Sequence, residues 1–300
     1  MKRLVSSVGI FLVILAAVIL PLEVSAATMK PLVAGKRGAV AAGHPLVAEA
    51  GLRILEKGGN AVDAGVATVF AASVVEMDGF ASGAECPILI KLQGKPAVAI
   101  NGAGSAPQMA TVEFYKQLRR DDPRIAEVAS ITKGTIPAYG LLSPLVPGAI
   151  DALLVALETQ GTMSLAEVIQ PAIELADGVP LDGRFARGLE RHKAIIEKWP
   201  TSRKVFLPGG QAPKEQTIFS QPDLARTFRR MAEVDRKNAS RGRAAAIEAV
   251  RDFVYRGPIA KEISDFCKQA GCLLREADFA AFRAKVEEPL HDRPARELDE

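Results

Sequence analysis

Cysteine and histidine are scarce, neither sign of charge dominates, and only one long apolar run is present in these 300 residues. The three histidines (His44, His192, His291) are scattered, with no H-x-x-x-H and no zinc-type cysteine pairing, so no metal site is expected. Formal net charge is only +3 with both signs mixed throughout, and nothing in that balance calls for a nucleic-acid partner. No G-x-x-x-x-G-K-[ST] phosphate loop and no G-x-S-x-G elbow occurs. The Gly102-x-Gly104 pair lacks the third glycine of a dinucleotide fingerprint, and no cofactor is expected.

The one long apolar run is Val8 to Leu20. Met1-Lys2-Arg3 precedes it as a basic head, and Val24-Ser25-Ala26 follows with small residues. That order is the pattern of a cleavable secretory signal peptide. The expected boundary is 1–26 with cleavage after Ala26; cleavage after Ala27 is the alternative. An uncleaved anchor is the rival, but a spanning helix wants about 18 or more apolar residues and this run is shorter. No later run is long enough to span a bilayer, so residues 27–300 are expected to be exported, periplasmic or extracellular, with no membrane contact after signal removal.

Of the three cysteines, Cys267 and Cys272 lie five positions apart in DFCKQAGC. Outside the cytoplasm they could close a small disulfide loop; two buried thiols facing different ways is the other reading. Cys86, between Glu85 and Pro87, reads as a small buried residue.

Along the chain, Gly38 to Ala42 reads as a short buried strand. A helix from Pro45 should stop at Gly58-Gly59, where glycine takes the left-handed conformation. Asn60 then caps a second helix, Ala61 to about Val75, with Asp63 favouring its positive end. Ala and Val dominate that helix, so it should be buried on most sides. After the Glu76–Glu85 loop, Pro87–Ile90 and Ala97–Ile100 read as strands joined at Gln93-Gly94-Lys95, and Asn101–Pro107 as a flexible turn. Thr111–Arg119, Ala149–Leu157 and Leu165–Ala176 read as helices, the last with a Ser164/Glu167 capping box. Phe185 to Tyr255 is mostly helical, broken at VFLPGG. The basic stretch between Arg226 and Arg251 reads as a solvated helix face.

The segment Gly38 to Glu76, with its HPL…AEAG…IL..GGNAVDA core, resembles the opening of gamma-glutamyltransferases. LVPGAIDALLVAL, LAEVIQPAIELADGVPL, VFLPGG, QPDLARTFRRMAE and VYRGPIAKEI follow in the family's order. The resemblance covers the family's large-subunit region. It implies an α+β class, part of an N-terminal-nucleophile hydrolase αββα layered fold, helix-rich here. It also implies a self-cutting precursor. The new N-terminal threonine of a small subunit attacks a gamma-glutamyl amide, its own amine serving as base. The implied partners are a small gamma-glutamyl substrate and a separate small subunit carrying that threonine.

Three departures bear on this. The family's Thr-Thr-His nucleophile motif lies downstream of everything matched, and the chain stops at Glu300 before it. Thr28 would be nearly N-terminal after signal cleavage, but it lies ahead of the domain. Catalytic residues are therefore not assigned within this chain. The family's carboxylate-binding arginine falls where Ala103 stands in classical members, or where Ser105 stands in a divergent branch, and neither is basic. Most glycines of the family's Gly-rich loop are replaced in Glu76–Glu85. The candidate substrate-binding residues are Ser105 in the turn and Gly83 and Glu85 in the loop. A noncatalytic relative that binds a ligand or partner is the alternative.

Overall fold

A computed structural model describes residues 35–77, 79–119, 122–125 and 136–290. The signal peptide, Ala26, Thr28 and His291 lie outside the described residues. The described residues 35–39 belong to a unit separate from Val40–Glu300, which holds the elements below.

Helix α1 (Pro45–Glu56) begins with proline where a missing N–H costs nothing. His44 caps it, its Nδ1 accepting from the Leu46 N–H at 3.2 Å. Gly58, at φ +93°, turns the chain out. Helix α2 (Ala61–Val75) carries the expected capping box: the Asn60 side chain accepts from Val62 and Asp63, and Asp63 accepts from the Asn60 N–H at 2.8 Å. Ten of its residues are buried, as an apolar helix with no polar stripe must be. The two helices pack together as the first unit of the core.

Strands β1 (Ile88–Lys91) and β2 (Ala97–Asn101) form the hairpin, with Gly94 at φ +72° in its turn. β5 (Lys285–Glu287) adds antiparallel to β2, completing the order β1-β2-β5. Ile90 and Ile100 point into the core while Leu89, on the other face, is 69% exposed. Helix α3 (Val112–Gln117) is capped by the Thr111 hydroxyl. Helix α4 (Ala149–Gln160) is almost wholly buried.

The Leu165–Ala176 helix is two pieces, α5 (Leu165–Val168) and α6 (Gln170–Asp177). Pro171 has no N–H to offer the carbonyl four residues back, so the first turn ends there. The Ser164/Glu167 capping box is present. β3 (Val179–Pro180) pairs with β4 (Ile218–Phe219), a two-residue contact with no signature in the sequence. Between them lie α7 (Gly183–Ile196) and α8 (Pro200–Phe206). Then come α9 (Pro222–Asn238), α10 (Arg243–Tyr255), α11 (Pro258–Ala270) and α12 (Glu276–Ala281). α2 packs against α1, α4 and α6, and α9 closes on α6 and α10. Phe70 of α2 meets Phe228 of α9 edge to face, centroids 5.6 Å apart.

Two expectations are corrected. Gly38–Ala42 forms no strand. A strand needs a hydrogen-bonding neighbour, and none of the described strands pairs with it. The basic stretch is not all solvated: Arg226, Arg229 and Arg230 are on the surface in ion pairs, but Arg251 is 1% exposed. Cys86 is half-buried, and burial pushes its thiol pKa up.

Candidate functional site

The Asn101–Pro107 turn leaves the end of β2 and is held from three sides. Gly104 donates its N–H to Glu85 Oε1 at 2.8 Å, tying the turn to the Glu76–Glu85 loop. Val146 donates to the Ser105 carbonyl at 2.9 Å, tying it to the SPLVPG passage. Gln108 donates to Asp278 Oδ1 at 2.9 Å, tying its exit to α12. The Asn101 side chain accepts from the Ala103 N–H at 3.1 Å, which bends the turn locally.

Close backbone packing explains the glycines here. A β-carbon on Gly102 would collide with the Cys86 carbonyl, and one on Gly148 with the Gly102 carbonyl. The Gly148 and Ala149 N–H groups at the start of α4 both donate to the Ala84 carbonyl, at 3.1 and 2.9 Å. The loop's backbone thus supplies the cap that α4 lacks in side chains.

Behind this surface lies a buried polar cluster. Arg251 Nε donates to Asp151 Oδ1 at 2.7 Å, and the Ala284 N–H donates to Asp151 Oδ2 at 2.6 Å. The Tyr255 hydroxyl donates to the Pro147 carbonyl at 2.6 Å and accepts from the Asp151 N–H at 3.0 Å. Burial, then the adjacent Asp151 charge, pushes the Tyr255 phenol far up, so it stays protonated and donating. Tyr255 therefore fixes the Val146-Pro147-Gly148 turn, and that turn fixes Ser105 and Gly102.

Ser105, Gly83 and Glu85 are all exposed. Glu85 is joined to the Ser105 turn through Gly104, whereas Gly83 stands in open space with nothing within 4 Å of where a β-carbon would be. No residue of the turn is basic, and its charged hydrogen-bond neighbours are two carboxylates: Glu85, which accepts from the Gly104 N–H, and Glu287, which accepts from Asn101 Nδ2 at 3.4 Å. Among the described residues no cluster of three or more His, Cys, Asp or Glu could hold a metal. Cys267 and Cys272, both buried, have their sulfurs at bonding distance with Cα atoms 4.5 Å apart. The supporting residues Tyr255 and Asp278 were not singled out by sequence. Tyr255 does lie in the VYRGP stretch of the resemblance; nothing marked Asp278.

Residues 47–296 match the sequence model of the family described as Gamma-glutamyltranspeptidase. The chain is 33% identical over 261 residues to the glutathione hydrolase proenzyme of Bacillus subtilis (strain 168), covering 85% of this chain and 40% of that protein. It is 31% identical over 259 residues to the acylase ACY 1 proenzyme of Pseudomonas sp. (strain V22), covering 85% of this chain and 43% of that one. The chain thus spans less than half the length of these curated relatives. Among solved structures it resembles the Helicobacter pylori gamma-glutamyltranspeptidase at TM-score 0.71 and 27% identity, over 87% of this chain and 68% of that one. It resembles the cephalosporin acylase of Bacillus halodurans at TM-score 0.73 and 30% identity, over 90% of this chain and 46% of that one. These neighbours carry the N-terminal-nucleophile hydrolase fold, and this helix-rich α+β chain matches its large-subunit region. The chain belongs to the gamma-glutamyltranspeptidase family.

Proposed function

We propose that this chain is the large-subunit half of an exported acyltransferase or hydrolase acting on gamma-glutamyl or related acyl amides, and that its threonine nucleophile is supplied by polypeptide outside these 300 residues. The observation that carries this reading is the family match over residues 47–296, with the chain covering only 40% and 43% of the two proenzymes it resembles. In that chemistry the threonine Oγ bonds to the acyl carbon and the C–N bond breaks. The amine leaves with a proton, and water or an amino acid then takes the acyl group. This chain's share is to present the Asn101–Pro107 turn, with Ser105, and the loop residues Gly83 and Glu85 to the substrate.

Residues 1–26 act as the signal peptide, and 27–300 as an incomplete domain. Periplasmic or extracellular residence rests on the signal-peptide pattern of residues 1–26. In that setting Cys267 and Cys272 are disulfide-bonded.

The test is hydrolysis of a gamma-glutamyl anilide. The chain alone is expected to show none. Co-expression with a family small subunit bearing the N-terminal threonine is expected to restore turnover. Robust turnover by the chain alone, lost on changing one internal threonine, would sink this reading.

A noncatalytic binding role is the second reading. It is favoured by Ala103 and Ser105 standing where the resemblance expects arginine, with the Glu85 and Glu287 carboxylates as neighbouring charges. A guanidinium clamps a carboxylate bidentately, which neither a methyl nor a hydroxyl can do. On this reading the co-expressed pair associates but stays inactive, and Ser105→Arg does not rescue it.

A further inference from the structure

The chain passes from α11 to α12 through a short, tightly held connection. Cys267 in the last turn of α11 and Cys272 just beyond it are both buried with their sulfurs at bonding distance. Gly271, at φ +83°, ends the helix between them. Leu273 and Leu274 follow, both buried but in different clusters: Leu273 packs with Tyr115 of α3 and with Leu142, and Leu274 joins the main core. The Arg275 side chain donates to the Cys272 and Leu274 carbonyls, both at 2.8 Å, and so shapes the entry to α12.

α12 then bears on the Asn101–Pro107 turn by two routes. Asp278, buried, uses both of its carboxylate oxygens. Oδ2 accepts from the Arg275 N–H at 2.8 Å, and Oδ1 accepts from the Gln108 N–H at 2.9 Å, at the exit of the turn. Phe279 and Phe282 lie against the Tyr255 ring, centroids 6.5 and 5.8 Å away. The Tyr255 hydroxyl holds the Pro147 carbonyl, and the neighbouring Val146 donates to the Ser105 carbonyl. Cys272 is thus joined to both the middle and the exit of the turn by continuous covalent, hydrogen-bonded and packed contacts.

We propose that the Cys267–Cys272 disulfide is a redox-operated clamp on the Asn101–Pro107 turn, with Asp278 as its positioning residue. A bond with two discrete states, closed and open, is the kind of element through which such a chain of contacts can be biased. Closed, as in an oxidising compartment, it ties the end of α11 to the entry of α12 and keeps Asp278 under Gln108. A dithiol reductant opens it by thiol–disulfide exchange. One reductant thiolate attacks a cysteine sulfur, and the second reductant thiol resolves the mixed disulfide. Two electrons and two protons pass to the cysteine sulfurs, leaving two cysteine thiols and an oxidised dithiol. The entry to α12 then regains conformational freedom, and Gln108 loses its fixed acceptor. This inference goes beyond the catalytic reading and stands whether or not the turn receives substrate.

Hydrogen exchange followed by mass spectrometry, at labelling times of seconds, reads the peptide spanning residues 105–118. Cys267→Ser/Cys272→Ser is expected to speed exchange there about ten-fold or more, the factor for losing a hydrogen bond to a charged acceptor. Asp278→Ala should do the same with the disulfide intact. Asp278→Asn, which keeps an oxygen to accept, should do less. Ile54→Val, in the buried face of α1, controls for general loosening and should leave residues 105–118 unchanged. Millimolar dithiothreitol added to the folded parent should raise the free-thiol count from one to three and reproduce the exchange of the double-serine variant. Unchanged exchange at 105–118 in the double-serine variant would overturn the clamp. So would a rise that the α1 and α2 peptides share equally, an equal rise in Ile54→Val, or a bond that the dithiol leaves closed in the folded protein.

Discussion

Arg251 and Asp151, one hundred residues apart, form an ion pair at 2.7 Å with both side chains essentially removed from water. Arg251 also donates to the Phe282 carbonyl, and Asp151 accepts from Ala284, so the pair joins α10, α4 and the chain leading into β5. Its second guanidinium nitrogen, Nη1, has no hydrogen-bond partner. Removing one member leaves the other charge buried and uncompensated, which costs far more than a surface pair. Asp151→Ala and Arg251→Ala are each expected to lose about 3–5 kcal/mol. Urea unfolding followed by circular dichroism measures this. A loss below 1 kcal/mol for either would show that water reaches the pair.

Asp63 predicts an acid limb in the stability curve. Desolvation pushes its carboxyl up, but hydrogen bonds from the Thr162 hydroxyl and from the Met163, Asn60 and Thr162 N–H groups outweigh it, and the pKa lies below the ordinary value. A group with a depressed folded pKa contributes stability above the unfolded pKa, near 4, and loses it as pH falls through the folded value. Glu167, held down by the Ser164 hydroxyl, and Glu174, held down by Arg53, act with the same sign. Stability should therefore decline below about pH 4. Asp63→Asn should lower it at pH 7 by about 2–3 kcal/mol and flatten the acid limb. An acid limb unchanged by that substitution would assign the decline to other carboxylates.

Two glycine-to-alanine changes should have opposite signs. Gly148→Ala drives a methyl into the Gly102 carbonyl and is expected to cost about 1–3 kcal/mol by displacing the turn that carries Ser105. Gly188→Ala, in open space within α7, should raise stability by about 0.5–1 kcal/mol. Paired thermal melts decide it, and equal effects would mean that backbone entropy alone is at work.

The cysteines give a further check. Quantifying free thiols in the denatured, unreduced protein should find one, Cys86, of the three present. Closing the short Cys267–Cys272 loop should contribute about 2 kcal/mol, so reduction or Cys267→Ser lowers the melting temperature correspondingly. Three free thiols would remove the bond from the account.

The apolar surface left open by the sheet bears on how the chain survives alone. Leu89 is 69% and Val286 54% exposed on a three-stranded sheet whose outer strands, β1 and β5, pair with no further strand among the described residues. An isolated chain with such faces is expected to bind a hydrophobic dye and to melt broadly. A sharp, cooperative melt with no dye binding would show that these faces need no cover.

Much of the fold is legible because the controlling interactions are local. Asn60 and Asp63, or Ser164 and Glu167, cap a helix by reaching three residues along the chain, and the Gly94 hairpin is written in adjacent residues. Family membership is equally a property of the linear string, carried by the GGNAVDA core and the pieces that follow it. Other features belong to the tertiary structure. Gly38–Ala42 has the residues of a strand but no partner, so it is none. Arg251 sits in a stretch that reads as solvated, yet it is buried because Asp151 arrives from far along the chain. Asp63 reads as a helix-cap residue, yet it also anchors the Thr162–Met163 turn. Glu85 meets Gly104, and Pro147 meets Tyr255, only once α4 and α10 have packed. The reason is one of range: capping and turn chemistry act over a few residues and survive in the sequence pattern. A buried charge or a shared carbonyl is satisfied by whatever the folded core brings beside it.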